Sequence, residues 1–243
     1  MRANVSSSRT LISSVILLLI FSTLSGVFNV NDDFVDNEDI IDKDSFRSHF
    51  TSKNSNDWSA SGSAANPVVA ISVDTSSNNE MVVAGVISGS TTMSMGSASV
   101  TSGQYVEPWI AKADSNGNWQ WIEKISVTGT SQYAEATITD IAVAPNGDIF
   151  ATGMFYESIS FGSINLVSTG YWDCWTAKIS SSGQWQWADS LNGDGDYDGI
   201  TVTTLDVVYG TSITTDSNSN PIIGGFFLGN TDVGVAADTG AQS

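Results

Sequence analysis

The sequence repeats itself, and this repetition constrains the fold more than any other feature of the 243 residues. The segment Trp109–Trp121 (WIAKADSNGNWQW) recurs 66 residues later as Trp175–Trp187 (WTAKISSSGQWQW), and eight of the thirteen positions are identical. Repeats of this length form stacked units, because a single unit cannot bury its apolar faces alone. The positions that we expect to be structural in the two copies are Trp109, Lys112, Gly117, Trp119, Trp121, Trp175, Lys178, Gly183, Trp185 and Trp187.

A second element occurs three times and extends the repeat over most of the chain. Its copies are Ile71–Gly85, Ile141–Gly153 and Ile213–Gly225, of which the last two have the same length. The third copy is not followed by a Trp-x-Trp segment, so the third repeat is partial. The repeat domain is predicted at 67–243, with repeats at about 67–130, 131–196 and 197–243.

Hydrophobic periodicity within each repeat predicts β-strands. Trp175, Ala177 and Ile179 alternate with polar residues, which is the two-residue period of a strand. Gly117 and Gly183 lie in short Ser- and Asn-rich segments that are typical of hairpin turns.

Other segments, 81–87 (MVVAGVI) and 221–228 (PIIGGFFL), are apolar on both faces and need a layer above and below them. About four strands per unit, stacked face to face, remove exposed sheet edges as in a β-propeller. We therefore predict an all-β fold of tandem four-stranded antiparallel blades, propeller-like and incomplete, after an N-terminal apolar helix and a disordered acidic spacer.

The repeats also resemble a known family. Residues 172–187 (WDCWTAKISSSGQWQW) and 141–153 (IAVAPNGDIFATG) are similar to the SBBP-type β-propeller repeats of secreted and cell-surface proteins in bacteria and archaea. The resemblance covers about Val68 to Leu228 and departs in the first copy, which has Glu107-Pro108 where the second has Asp173-Cys174. It implies a blade scaffold and supplies no catalytic residues.

The repeat number leaves the architecture open. Two full units and a partial one make at most about three blades, whereas closed propellers have about 4–8. Three explanations stay open: the chain is a fragment of a longer protein, another chain completes the blades, or the units form an open stack or sandwich.

The first 28 residues are predicted to be a secretory signal peptide or a membrane anchor. Arg2 and Arg9 precede the apolar segment 11–28, and small residues follow its core. Eighteen residues are at the short limit for crossing a bilayer, so cleavage and retention both stay open. Either outcome predicts an extracellular or cell-surface location, with membrane contact only through residues 11–28 and only if they are retained.

Residues 29–66 are predicted to be an acidic flexible spacer, because many acids and few large apolar residues cannot offset the entropy of ordering. The whole chain has 26 acidic against 8 basic residues, a formal net charge of −18. This balance excludes nucleic acid as a partner, since phosphate binding needs a Lys/Arg surface. Charge of this size keeps an exported protein soluble at high ionic strength, which fits a saline habitat.

Few residues in the sequence could carry chemistry. His49 is the single histidine and Cys174 the single cysteine, which excludes a disulfide framework and a cysteine-based zinc site. Cys174 has no histidine in the repeat domain that could activate it as a nucleophile.

Asp194, Asp196 and Asp198 resemble the first half of a calcium loop, in which alternate carboxylates surround the cation. The closing ligand is missing, because Leu205 stands at the position of the EF-hand glutamate and Val202 at that of the closing aspartate in other loops. A weak structural calcium site and a solvated acidic loop both stay open. No other cofactor is predicted.

The pairs Trp119/Trp121 and Trp185/Trp187 could form a sugar-stacking surface, but their recurrence with the scaffold favours core packing. Trp172 is not part of a pair and is the better candidate for an exposed contact. Lys112 and Lys178 hold equivalent positions, and we expect each to pair with an acid.

Three functions follow from these features. The first is an exported, non-catalytic β-repeat scaffold at the cell surface that binds an extracellular protein or a glycan, or serves a structural role. The second is a secreted propeller-type enzyme that acts on glycans with a carboxylate pair, although no spacing in the sequence selects the pair. The third is a calcium-stabilised structural module of a larger surface protein.

Overall fold

The structure, a computed structural model, describes residues 49–51, 59–64, 66, 68–193 and 207–228, all of which belong to one compact unit. These residues form strands, turns and irregular segments, so the predicted all-β fold is confirmed. The signal or anchor segment and the N-terminal helix predicted in it lie outside the described residues. In the described part of the chain, no helix is long and apolar enough to cross a membrane.

Seventeen strands are present in the described ranges. They are β1 His49–Thr51, β2 Ser59–Ala64, β3 Val69–Thr75, β4 Met81–Ile87, β5 Thr92–Met95, β6 Ala98–Thr101, β7 Glu107–Ala113, β8 Trp119–Lys124, β9 Ser126–Val127, β10 Glu135–Val143, β11 Ile149–Tyr156, β12 Ser158–Phe161, β13 Ile164–Val167, β14 Asp173–Ile179, β15 Trp185–Leu191, β16 Val207–Thr215 and β17 Pro221–Leu228.

The repeat corresponds to a four-stranded antiparallel sheet. The first unit has the strand order β3-β4-β7-β8, and the second has the order β10-β11-β14-β15. In the third unit, β16 and β17 pair as the first two strands of such a sheet. The described sheets stay separate and do not join into a closed barrel.

A short hairpin lies between the second and third strands of each four-stranded unit. Hairpin β5-β6 pairs with β2, and hairpin β12-β13 pairs with β9. The strand β2 therefore has the same role before the first unit that β9 has before the second. The strand β2 lies within the predicted spacer at 29–66. Its residues Ser59–Ser61 pair with β1, and Gly62–Ala64 pair with β5.

Five hairpin loops of the described chain share one geometry. In each, the first residue bonds through its backbone N–H to the carbonyl of the fifth, and the fourth residue has a positive φ. Gly117 and Gly183 hold that fourth position, with φ of 82° in both, which agrees with the turns predicted there. The loops span residues 76–80, 114–118, 144–148, 180–184 and 216–220.

The first strand of each unit has a bulge at the same place, with a glycine beside it on the second strand. The bulged residues are Ile71, Thr139 and Thr211. The glycines are Gly85, Gly153 and Gly225, and a Cβ on any of them would overlap the carbonyl oxygen of Val69, Thr137 or Tyr209, respectively. Only glycine lets the two backbones approach this closely at the bulge.

The first strands of the three units lie side by side and are joined by polar contacts. Asp140 on β10 accepts a hydrogen bond from the Ser72 hydroxyl at 2.8 Å and another from the Ile213 backbone N–H at 2.9 Å. Thr139 donates its hydroxyl to the carbonyl of Gly210 at 2.6 Å. One carboxylate thus links β10 to β3 and to β16.

The hydrophobic core lies between the units as well as within them. One cluster joins Val82 and Ile110 of the first unit to Ile138, Phe155 and Trp175 of the second. A smaller cluster brings Ala142, Ala144 and Phe150 of the second unit against Ile213 of the third. The first and second units therefore each bury apolar side chains against the unit that follows, as a stacked repeat requires.

Candidate functional site

Two buried acids organise the loops at the end of the sheets where β7 and β14 begin, which we call the loop end. Glu107, 2% exposed, accepts hydrogen bonds from the Gly103 and Val127 N–H groups and from the Lys124 ammonium at 2.8 Å. Asp173, 0% exposed, accepts from three backbone N–H groups, those of Thr169, Gly170 and Gly193. Both carboxylates accept hydrogen bonds from loop residues and thereby hold the loops against the strands. We therefore assign them a structural role.

A third acid, Glu157, fastens the loop that joins the first two units. Its carboxylate accepts hydrogen bonds from the backbone N–H groups of Thr130 at 2.6 Å and Ser131 at 3.1 Å. Hydrogen bonds from Ser131 and Thr130 hold the pKa of Glu157 below its ordinary value. The residue has a φ of 72°, a strained conformation for a side chain with a Cβ, which these contacts maintain.

The two repeated lysines form the ion pairs expected from the sequence. Lys112 lies 3.0 Å from Glu80, and Lys178 lies 2.7 Å from Asp148. Each acid is the last residue of the loop before the second strand of its unit. The pairs fasten that loop to the third strand.

The paired tryptophans do not form one continuous surface. Trp119 and Trp185 pack against Gly96 and Gly162, at the turns of the inserted hairpins of their own units. Trp121 instead reaches the second unit, where its indole N–H donates to the Ser181 carbonyl at 3.1 Å.

Burial of the repeated tryptophans differs by position. Trp109 and Trp175 are 1% and 0% exposed, whereas Trp119, Trp121 and Trp185 are half-buried. Trp187 is 37% exposed, so it does not share the core packing that recurrence favours for the pairs. The loop 180–184 of the second unit covers Trp121 of the first unit. Among the described residues, no loop of the third unit covers Trp187 in the same way.

The loop end of the second unit contains a group of aromatic rings, Tyr156, Tyr171 and Trp172, which we call the aromatic cluster. The centroids of Tyr156 and Tyr171 are 5.4 Å apart, and Tyr156 lies 6.4 Å from Trp172. The prediction that Trp172 is an exposed contact is wrong, because it is 8% exposed. Its backbone bridges to Val207, and the two half-buried tyrosines contact its ring.

Ionisable groups of the second and third units surround this cluster. Glu135 pairs in register with Tyr156, and burial raises the pKa of its carboxyl. Burial, together with Tyr171 and Glu135 nearby, raises the pKa of Tyr209 to about 12. The Tyr209 ring stacks on Phe226 with centroids 4.7 Å apart. The cluster therefore combines aromatic faces with one desolvated carboxyl group, a composition typical of small-ligand contacts.

The predicted calcium ligands Asp194, Asp196 and Asp198 lie outside the described residues. They belong to the segment between β15 and β16, which is the connection that follows the aromatic cluster in the chain. In the described ranges, no group of three or more His, Cys, Asp or Glu side chains is arranged to hold a metal ion. Cys174 is buried, and this burial raises the pKa of its thiol, which opposes a role as nucleophile.

Sequence reasoning missed the buried acids and the aromatic cluster, although both have a signal. Glu107 and Asp173 each stand two residues before the repeated Trp, so the departure noted between the two copies conserves a carboxylate. Conversely, Tyr156 and Trp172 replace Ser88 and Val106 of the first copy. The buried acids are thus indicated by a carboxylate at the same position of both copies. The aromatic cluster is indicated by these two aromatic residues, which only the second copy has.

No protein-family model matches this chain, and a search of curated proteins found no relative.

Proposed function

We propose that the chain is an exported, non-catalytic β-repeat scaffold whose units are blades of a propeller-like array, as the SBBP-type resemblance implies. Repeated sheets with the same loops, bulges and inter-unit contacts support a scaffold role. The aromatic cluster is the proposed contact site, and an extracellular glycan is the proposed partner.

The observation that carries this proposal is the pair of half-buried rings, Tyr156 and Tyr171, held 5.4 Å apart on buried Trp172. Aromatic rings offer large apolar faces at little cost in conformational entropy, and these suit the C–H faces of a sugar ring. Glu135 beside them can accept hydrogen bonds from hydroxyl groups. Tyr156 is the last residue of β11, and Tyr171 lies two residues before β14, the neighbouring strand of the same sheet.

A glycan array probed with the full chain tests the proposal. We expect binding to a subset of glycans, reduced about tenfold or more in Tyr171→Ala, because the ring supplies contact area that alanine lacks. Trp187→Ala is the matched control and should leave binding unchanged. It also removes an exposed aromatic ring, but Trp187 lies on β15 opposite Lys178, away from the loop end that contains the cluster.

The array also separates binding from catalysis. Each bound glycan is incubated with the protein and its products are measured. Turnover that is lost in Glu135→Gln would overturn the non-catalytic proposal in favour of a glycan-active enzyme. Equal glycan binding by the wild type and by Tyr171→Ala would remove the aromatic cluster from the proposed site.

A further inference from the structure

We infer that the outer edge of β17 is a docking site for one further antiparallel strand, provided by a partner polypeptide with the sequence pattern Asp/Glu-x-Trp-x-Ala-Lys. This inference is independent of the glycan contact proposed above. It rests on a comparison of β17 with the strands that hold the same place in the first two units, β4 and β11.

The counterparts of β17 are buried, whereas β17 is exposed. Ile222 is 56% exposed, while its counterparts Phe150 and Val82 are 2% and 0% exposed. Phe227 is 52% exposed, while its counterparts Phe155 and Ile87 are 0% and 1% exposed. Three more residues of β17 share this exposure, namely Ile223, Phe226 and Leu228.

Each buried counterpart is covered by a strand of one defined sequence type. The strand β4 pairs with β7 (EPWIAKA), and β11 pairs with β14 (DCWTAKI). Among the described residues, β17 pairs with β16 on one side and with no strand on the other. The row of N–H and C=O groups along an open edge is a template for an added strand.

The register of the added strand follows from the repeat. In both complete units, the tryptophan of the third strand stands opposite the bulge glycine, Trp109 opposite Gly85 and Trp175 opposite Gly153. The Trp175 ring also lies over Gly153, where a Cβ would come within 2.8 Å of it. The equivalent glycine of the third unit is Gly225, so the tryptophan of the incoming strand should lie opposite Gly225.

One contact of the first two units is altered in the third. The lysine of the third strand forms an ion pair with Glu80 in the first unit and with Asp148 in the second. The third unit has Asn220 at the position of these acids. We therefore expect the tryptophan, and not the lysine, to dominate docking on β17. The lysine would retain hydrogen bonds but no ion pair with that residue.

Neither described strand of this type is free to be donated. The strand β7 is buried along its whole length, and β14 is buried except for Lys178, so donating either to a second copy would dismantle its own sheet. We therefore assign the added strand to a separate segment of the same repeat type.

Fluorescence anisotropy of a labelled peptide tests the inference. The peptide has the sequence of residues 107–124, which comprises the third and fourth strands of the first unit without a cysteine. We expect saturable binding of this peptide to the full chain. A peptide in which the tryptophan of position 109 is replaced by alanine should bind at least about tenfold more weakly. A peptide in which the Lys112 equivalent is Gln should bind almost as well as the parent.

Two variants of the chain locate the binding. Phe227→Asp places a carboxylate opposite the acid of the incoming strand and should abolish binding. Val167→Asp is the matched control, because Val167 is an exposed strand residue of β13, 62% exposed, and it should leave binding intact. Circular dichroism and melting of both variants verify that they are folded.

Three results would overturn the inference. They are failure of the parent peptide to bind, equal binding of a scrambled peptide, and binding that survives in Phe227→Asp. Concentration-dependent self-association that is lost in Phe227→Asp and unaffected by the peptide would assign the edge to a second copy instead. Each result leaves the glycan array unaffected, so the two proposals are judged separately.

Discussion

Glu107 and Asp173 occupy equivalent positions, and both bury a carboxylate at the start of the third strand of their unit. A buried carboxylate is stable only where hydrogen bonds replace its hydration. Asp173 satisfies this condition with three backbone N–H donors, and Glu107 does so with two N–H groups and one ammonium. The acids therefore hold irregular loops that have few backbone partners of their own.

Replacing Asp173 with asparagine should destabilise the fold. One Oδ is exchanged for an NH₂ group, which cannot accept from the N–H groups of Thr169 and Gly170 or from that of Gly193. We expect the free energy of unfolding, measured in urea, to fall by about 2 kcal/mol. Asp189→Asn is the matched control, because Asp189 is exposed on the neighbouring strand and should change stability by less than about 0.5 kcal/mol. Equal effects of the two substitutions would contradict the structural role of Asp173.

At the residue scale, the sequence shows which side chains recur in the repeat. It predicts less well how deeply each is buried and which groups it contacts. The pairing of Lys112 and Lys178 with acids is predictable, because few basic residues face many acids. The burial of Trp172 is not predictable from its place outside the tryptophan pairs, since it depends on Val207, which is distant in the chain. The partners of Asp173 are loop N–H groups, which have no side-chain signature.

At the scale of the elements, each unit depends on the bulge in its first strand and on the glycine beside it. The bulge inserts an extra residue, and in the second unit this residue, Thr139, turns its hydroxyl to Gly210 of the next unit. The glycine Gly153 lets β10 and β11 approach at that point. The local irregularity of one strand pair thus contributes to the contact between units.

Gly153→Ala should be strongly destabilising. The added Cβ would overlap the Thr137 carbonyl oxygen and the Trp175 ring, and neither backbone nor buried indole can move far. We expect a loss of about 2 kcal/mol or more in unfolding free energy, with an earlier thermal transition. Gly103→Ala is the control, because its Cβ would meet only the Glu107 carboxylate at 3.6 Å. A Gly153→Ala protein as stable as the Gly103→Ala protein would contradict the proposed close approach.

The sequence predicts the strands with strong hydrophobic patterns and misses the one that depends on pairing. Trp175, Ala177 and Ile179 alternate visibly, and β14 contains them. The strand β2 (SASGSA) has no such pattern and falls in the predicted spacer. Its order comes from backbone pairing with β1 and β5, so only the tertiary structure shows it.

At the scale of the whole molecule, charge opposes the compact state. The chain has a formal net charge of −18, and the described residues include three ion pairs, Lys112–Glu80, Lys124–Glu107 and Lys178–Asp148. Most acidic residues therefore repel one another without a cationic partner. These ion pairs are half-buried or buried, so dissolved salt screens them less than it screens the exposed acids.

We expect the melting temperature to rise by about 5 °C between 0.1 M and 1 M NaCl, because the screening length falls from about 10 Å to about 3 Å. Scanning calorimetry at constant pH measures this change. Calcium and magnesium chlorides at equal ionic strength separate screening from binding, since only a specific site at Asp194, Asp196 and Asp198 would make calcium more effective. A melting temperature that falls with NaCl would mean that the ion pairs outweigh the repulsion.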